Sequence, residues 1–211
     1  MIKSLAIKEL RELLGLVALA AVGLALVAIE VTGMGPGQPM YFPFSSGSHQ
    51  SGQAMCMGAL ALLLGFRQTA WELHNGTFYF LLHRPFPRRS VLAVKLAVGA
   101  FCLVAVNAAF VGIVGWWAAT PQTHPTPFFW SMTLPAWNLG LAMLPIYLGA
   151  FLSGIRPGRW FGSRLLPAVA GILVAAAANV LPWLTLGALL ALATSVVFVV
   201  CIFYYGRVRD F

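Results

Sequence analysis

The sequence from Arg67 to Lys95 reads RQTAWELHNGTFYFLLHRPFPRRSVLAVK. It holds five of the thirteen Lys and Arg residues of the chain, together with Glu72 and two of the four histidines. The sequence on either side consists of long apolar runs joined by short connections. The stretch is therefore the longest polar interruption in an otherwise apolar chain.

The composition indicates a membrane protein. The chain has 211 residues, of which 60% are hydrophobic and only 9% charged, and its mean hydropathy is +0.87. Soluble domains carry about 25% charged residues, and apolar runs of about 20 residues are typical of membrane-spanning helices. We therefore predict an all-α, polytopic membrane protein that forms a single domain over residues 1–211.

The apolar runs predict six transmembrane helices, separated by loops rich in Gly, Pro and Ser. Their predicted ranges are about 13–31, 54–70, 91–118, 131–154, 165–181 and 184–205. Proline interrupts the fourth run at Pro145, and a proline removes one backbone hydrogen bond from a helix. We therefore expect a kink there. The three cysteines lie inside apolar runs at no metal-binding or redox spacing, so we interpret them as buried apolar side chains.

The positions of the basic residues predict the topology. Three Lys and Arg residues precede the first span, five lie in and beside the connection between the second and third, three between the fourth and fifth, and two follow the sixth. The other three loops contain none. Because Lys and Arg collect in the cytoplasmic loops of membrane proteins, we predict a multi-pass protein of the inner (cytoplasmic) membrane with both termini in the cytoplasm. The net charge of +8 then reflects these loops and does not indicate nucleic acid binding.

Residues 2–12 form an amphipathic pattern before the first span. Apolar residues recur on one face at helical spacing, and Lys8 and Glu12 form an i,i+4 pair on the other. We interpret the segment as a helix that lies in the membrane interface. The alternative is a cytoplasmic extension of the first span. Glu30, at the far end of that span, is expected at the outer interface; cation binding is the alternative role.

The chain shows no motif for catalysis, a cofactor or a metal. It contains no GxxxxGK[ST] phosphate loop and no HxxxH or HExxH spacing. Few polar residues lie inside the predicted spans, and we interpret Asn107, Asn138 and Asn179 as hydrogen-bonding links between helices rather than as a substrate site.

The polar stretch itself predicts a short amphipathic helix on the cytoplasmic surface. Its apolar residues recur at helical spacing, and Pro85 and Pro87 end it. These apolar residues are Trp71, Phe78, Leu81 and Leu82. Gly76, inside this helix, suggests close approach by a neighbouring backbone. The alternative is a surface loop that its arginines hold to anionic lipid.

One pattern in this stretch resembles a known family. The run Glu72-x3-Gly76-Thr77-x3-Leu81-Leu82-x2-Pro85-x2-Arg88-Arg89, followed by Lys95, is similar to the pattern of ABC-2-type permeases, the membrane subunits of type V ABC exporters. The N-terminal run from Lys8 to Glu12 also resembles the opening interfacial helix of that family. The specific pattern covers about 25 residues, whereas the likeness in architecture covers the whole chain.

The resemblance implies a role for each part of the stretch. It implies that the amphipathic helix is a coupling helix that docks on a separate ATP-binding subunit, and that two six-helix units face each other around a substrate path. The residues expected to contact the ATP-binding subunit are Trp71, Glu72, Gly76, Thr77, Phe78, Leu81 and Leu82. The basic residues expected at the membrane surface or on the partner are Arg84, Arg88, Arg89 and Lys95. ATP and Mg would be bound by the partner subunit and not by this chain.

The sequence departs from the family between spans five and six. Members of the family often carry small re-entrant helices there, and Leu181-Pro182-Trp183 leaves almost no room for them. The predicted function is the permease subunit of an ATP-driven exporter for an unidentified substrate, and not an enzyme in its own right. The alternatives are an ATP-independent membrane scaffold or assembly factor and, with less support, a secondary transporter.

Overall fold

Helices make up nearly all of the chain that the structure describes. The computed structural model describes residues 2–34, 44, 47–76, 87–123, 127–181 and 184–208, and no strand occurs within these ranges. The helices are α1 (Ile2–Val31), α2 (Gly47–Phe66), α3 (Arg88–Ala119), α4 (Leu134–Ile155), α5 (Leu166–Val180) and α6 (Leu184–Val208). A π-helix, Arg67–Trp71, and a helical turn, Glu72–His74, prolong α2. A 3-10 turn, Trp130–Thr133, precedes α4, and a second π-helix, Trp160–Arg164, precedes α5. The all-α prediction is confirmed.

Four of the described helices are long and apolar enough to cross a membrane. They are Ile2–Val31, Arg88–Ala119, Trp130–Ile155 and Leu184–Arg207. The predicted spans 54–70 and 165–181 overlap α2 and α5. These two helices are not among the four that are long and apolar enough to cross a membrane. The first turns of α2 carry Gly, Ser, His and Gln, and α5 has only 15 residues. At about 1.5 Å per residue, α5 is shorter than a hydrocarbon core of about 30 Å.

The N-terminal segment is part of the first long helix. Instead of a separate interfacial helix over residues 2–12, α1 runs without a break through 30 residues from Ile2 to Val31. No Gly or Pro interrupts residues 2–14, and the run KELRELL consists of strong helix formers. The observed helix therefore agrees with the alternative interpretation, in which residues 2–12 extend the first span.

The central helix of the bundle is α4, which packs against α2, α5 and α6. In its most apolar stretch 78% of the residues are buried, against 17% in α1 and 28% in α6. Helix α4 continues through Pro145 to Ile155. The outer helices α1 and α6 expose large apolar side chains, for example Leu19 and Val200, which are 66% and 62% exposed. Such faces suit contact with lipid.

Amide side chains join the helices at one end of the bundle. Gln53 of α2 donates a hydrogen bond from Nε2 to Oδ1 of Asn107 in α3 at 2.9 Å. Asn138 donates from Nδ2 to the carbonyl of Leu184 at 3.2 Å, which links α4 to α6. The predicted linking role is therefore confirmed for Asn107 and Asn138. Asn179 instead bonds the carbonyl of Ala175 in its own helix.

Basic segments meet at the opposite end of the bundle. Arg164 donates from Nε to the carbonyl of Ser153 at 3.0 Å and from Nη2 to that of Gly154 at 2.9 Å. It thereby caps the last carbonyls of α4, where a cation is favourable. The guanidinium of Arg156 lies 6.0 Å from the ring of Tyr205 near the end of α6. The loop before α5 and the end of α6 therefore share one end of the bundle.

Candidate functional site

A buried lysine connects two buried glutamates at the basic end of the bundle. The Nζ of Lys95 in α3 donates hydrogen bonds to Oε1 of Glu9 in α1 and to Oε1 of Glu72 after α2, both at 2.7 Å. The exposed fraction is 0% for Lys95, 1% for Glu9 and 3% for Glu72. We call these three residues the buried triad. It joins α1, α3 and the turn that follows α2.

Helix direction explains how a lysine in an apolar run reaches this end. Lys95 lies two turns inside α3, and side chains on a helix tilt toward its N-terminus. The long aliphatic stem therefore carries the ammonium group back toward the charged end, while its methylene groups stay among apolar neighbours. Glu9 is similarly placed, near the N-terminus of α1.

The π-helix after α2 turns two polar side chains into the protein, and one of them contacts a triad residue. Gln68 and Thr69 are 2% and 1% exposed and face the interior. Gln68 donates from Nε2 to the carbonyl of Lys95 at 2.9 Å and accepts a hydrogen bond at 2.8 Å from the hydroxyl of Tyr147, which is fully buried in α4. π-helical turns are often found at functional sites. The triad is thus connected to the central helix.

Small residues permit this close packing. A side chain at Gly99 would collide with the hydroxyl of Tyr147, and one at Gly154 would collide with the hydroxyl of Thr69. Thr69 uses that hydroxyl to bond the carbonyl of Gly65 at 2.7 Å. The glycines therefore set the distance of α3 and α4 from the π-helix.

Two more charged residues lie at the rim of the triad. Lys8, whose side chain is 40% exposed, lies 3.7 Å from Oε1 of Glu72 and 3.8 Å from Oε1 of Glu9. It also pairs with Glu12 at 3.2 Å, as the i,i+4 spacing predicts. Ligand atoms of the three glutamates lie within 4.8 Å of one another, a grouping that could hold a metal ion. The ammonium groups of Lys95 and Lys8 already provide cations for these carboxylates.

The electrostatics of Glu72 show opposing effects. Burial raises the pKa of the Glu72 carboxyl above its usual range, because the charged form loses hydration. The ammonium of Lys95 opposes that shift, while the charge of Glu9 adds to it. Removing one partner from a buried ion pair costs about 3–5 kcal/mol, so the three members of the triad depend on each other.

The structure places the predicted site residues in different surroundings. Glu72 and Lys95 meet inside the protein, so Lys95 is not at the surface, where the sequence analysis expected it. Trp71 is 55% exposed, and the guanidinium of Arg67 lies 5.3 Å from its ring centroid. Arg88 and Arg89 begin α3. Thr77, Phe78, Leu81, Leu82 and Arg84 lie outside the described residues.

Gly76 has a different role from the predicted one. Among the described residues, no atom lies within 4 Å of the position that a side chain would occupy at Gly76, so close approach of another described backbone does not explain this glycine. Its φ of 70° lies in the left-handed region, which glycine adopts at the least cost. Gly76 therefore ends the helical turn Glu72–His74, as glycines commonly do after a helix.

Sequence reasoning missed three members of this site as such. Glu9 lies in the N-terminal run from Lys8 to Glu12 but has no site role in the sequence pattern, and neither Gln68 nor Tyr147 belongs to a recognisable motif. One signal pointed to Glu9: a lysine inside an apolar span needs an acidic partner, and the chain has only five acidic residues. No sequence signal pointed to Gln68 or Tyr147.

Comparison of the chain with protein families, with curated proteins and with solved structures gave no match.

Proposed function

We propose that this chain is the permease subunit of an ATP-driven exporter, in which a separate ATP-binding subunit supplies the energy. The observation that carries the proposal is the pair of 2.7 Å hydrogen bonds from Lys95 to Glu72 and Glu9. Glu72 and Lys95 are the first and last residues of the pattern that resembles ABC-2-type permeases. Glu9 belongs to the N-terminal run that resembles the same family.

The triad offers a route by which movement of the docking segment would reach the helix bundle. Glu72 lies just before residues 77–86, the segment that would dock on the ATP-binding subunit. Lys95 holds Glu72 to α3 and to α1, so a displacement of the docked segment would pull on both helices. Packed helices respond to such a force by moving as rigid bodies. ATP binding by the partner would in this way re-pack the bundle.

The predicted site residues would have different roles in transport. Glu72 and Lys95 would transmit the movement from inside the protein. Trp71 and the turn at Gly76 would lie closer to the partner and would flank its docking site, together with Thr77, Phe78, Leu81 and Leu82. Arg84, Arg88 and Arg89 would bind acidic groups of the lipid surface or of the partner.

In the proposed topology, six spans cross the inner (cytoplasmic) membrane. Both termini lie in the cytoplasm. The distribution of Lys and Arg supports this arrangement. A second permease subunit, identical or related, would complete the substrate path. ATP and Mg would be bound only by the partner subunit.

Purification of the chain in mild detergent from its own cells tests the proposal. We expect an ATP-binding subunit to co-purify and to hydrolyse ATP. A variant in which residues 77–86 are replaced by a Gly-Ser linker of equal length should lose this companion, because the docking segment is gone. It should remain folded, because the triad lies outside the replaced segment. An unchanged set of companions in the linker variant, or wild-type protein without an ATP-binding subunit, would contradict the proposal.

A further inference from the structure

A groove with a cationic end lies on the outside of the bundle, beside the π-helix that follows α2. Its volume is about 610 Å³, and one end is lined by apolar side chains, among them Leu16 of α1 and Leu63 of α2. Arg67, Trp71 and His74 line the other end. No acidic side chain is among the described residues that line it.

We propose that this groove binds one anionic phospholipid. An acyl chain would lie along the apolar part, and the headgroup phosphate would meet Arg67. A guanidinium binds phosphate oxygens in a bidentate, charge-assisted manner, and the absence of acidic groups from the described lining leaves that charge uncompensated within the groove. The occupant is a lipid rather than a free anion because most of the lining is apolar.

The position of the groove along α2 supports the same occupant. Leu63 is 46% exposed and Trp71 is 55% exposed, so the groove opens outward along two turns of helix. Tryptophan and arginine are typical of the border between hydrocarbon and headgroups, where apolar and polar contacts are both available. Along the groove the lining changes from apolar at Leu63 to cationic at Arg67, beside Trp71. A phospholipid changes in the same order, from its acyl chains to its headgroup.

A bound lipid would also brace the π-helix. Arg67 and Trp71 are its first and last residues, and its inward face carries Gln68, which bonds the carbonyl of Lys95, and Thr69. A lipid held on the outward face would therefore stabilise the turn that positions Glu72. This role does not depend on the transport proposal.

The test compares two lipids with identical acyl chains, phosphatidylglycerol and phosphatidylcholine, titrated into the detergent-solubilised chain. Binding is followed by native mass spectrometry and by thermal unfolding. We expect the wild-type chain to bind phosphatidylglycerol more tightly. Arg67→Gln should weaken that binding about fivefold, the contribution of one cation at an anionic membrane surface, and leave phosphatidylcholine binding unchanged. Arg67→Lys should retain most of the preference.

Two further variants separate the groove from general charge. Arg207→Gln removes an exposed cation at the end of α6 and should leave both affinities unchanged. Ala70→Phe fills the groove and should abolish binding of both lipids at this site. The proposal is overturned if the two lipids bind equally, if Arg207→Gln weakens binding as much as Arg67→Gln, or if inorganic phosphate displaces the lipid.

Discussion

Replacement of Lys95 by methionine is expected to lower the free energy of unfolding by about 3–5 kcal/mol, because Glu9 and Glu72 would be left buried without the cation between them. Methionine keeps the length and flexibility of the side chain, so the loss reports the charge and its two hydrogen bonds. For a chain of this size we expect the midpoint of thermal unfolding to fall by about 10 °C. Thermal unfolding in detergent, followed by gel filtration, measures the shift.

Two controls show whether the triad is responsible. Arg89→Met removes an exposed cation from the same helix and should leave the midpoint near that of the wild-type protein. Lys95→Met combined with Glu9→Gln and Glu72→Gln removes all three charges and should recover most of the loss, because neutral groups are cheaper to bury. If Lys95→Met unfolds at the same temperature as Arg89→Met, the triad does not hold the helices together.

The second large effect is expected from Glu72→Gln in the complex with the proposed ATP-binding subunit. Glutamine keeps the shape of glutamate but loses its charge, and a hydrogen bond to a charged group contributes about 1.5–3 kcal/mol. Lys95 would still bind Glu9, so the bundle should remain folded while the link to the docking segment weakens. We expect ATP hydrolysis to continue and the movement of the spans to be lost.

The movement can be followed without knowing the substrate. Met55 is 75% exposed and lies in α2 about four turns from the triad. The thiol introduced by Met55→Cys should change its labelling rate when ATP is added, and Glu72→Gln should reduce that change about tenfold. Glu12→Gln is the matched control, because Glu12 is partly exposed and pairs with Lys8 rather than with Lys95. An undiminished response in Glu72→Gln, or an equal loss in Glu12→Gln, would contradict the assigned role of Glu72.

Much of the fold could be predicted from the sequence, because apolar runs in a chain this poor in charge leave few alternatives to helices. The boundaries were harder to predict. Periodicity could not distinguish a separate helix over residues 2–12 from an extension of α1, since both bury the same face. The packing of Glu9 against Lys95 makes the extension part of the bundle.

The candidate site was only partly predictable because its members are distant in sequence. Glu72 and Lys95 were named from one local pattern, yet their direct contact needs α2 and α3 to be packed together. The hydrogen bond between Gln68 and Tyr147 spans 79 residues, and no local pattern encodes it. Gly76 was misjudged because a glycine that ends a helix and one that admits a neighbour look the same in a sequence.

Photo-crosslinking from position 74 shows whether this end of the bundle contacts an ATP-binding subunit. His74 follows Glu72 in the last helical turn before the proposed docking segment, whereas Thr120 lies at the opposite end of α3 and is exposed. A photoreactive amino acid in place of His74 should crosslink to an ATP-binding subunit in native membranes, and the same amino acid in place of Thr120 should not. Crosslinking of that subunit from position 120, or from neither position, would contradict the account.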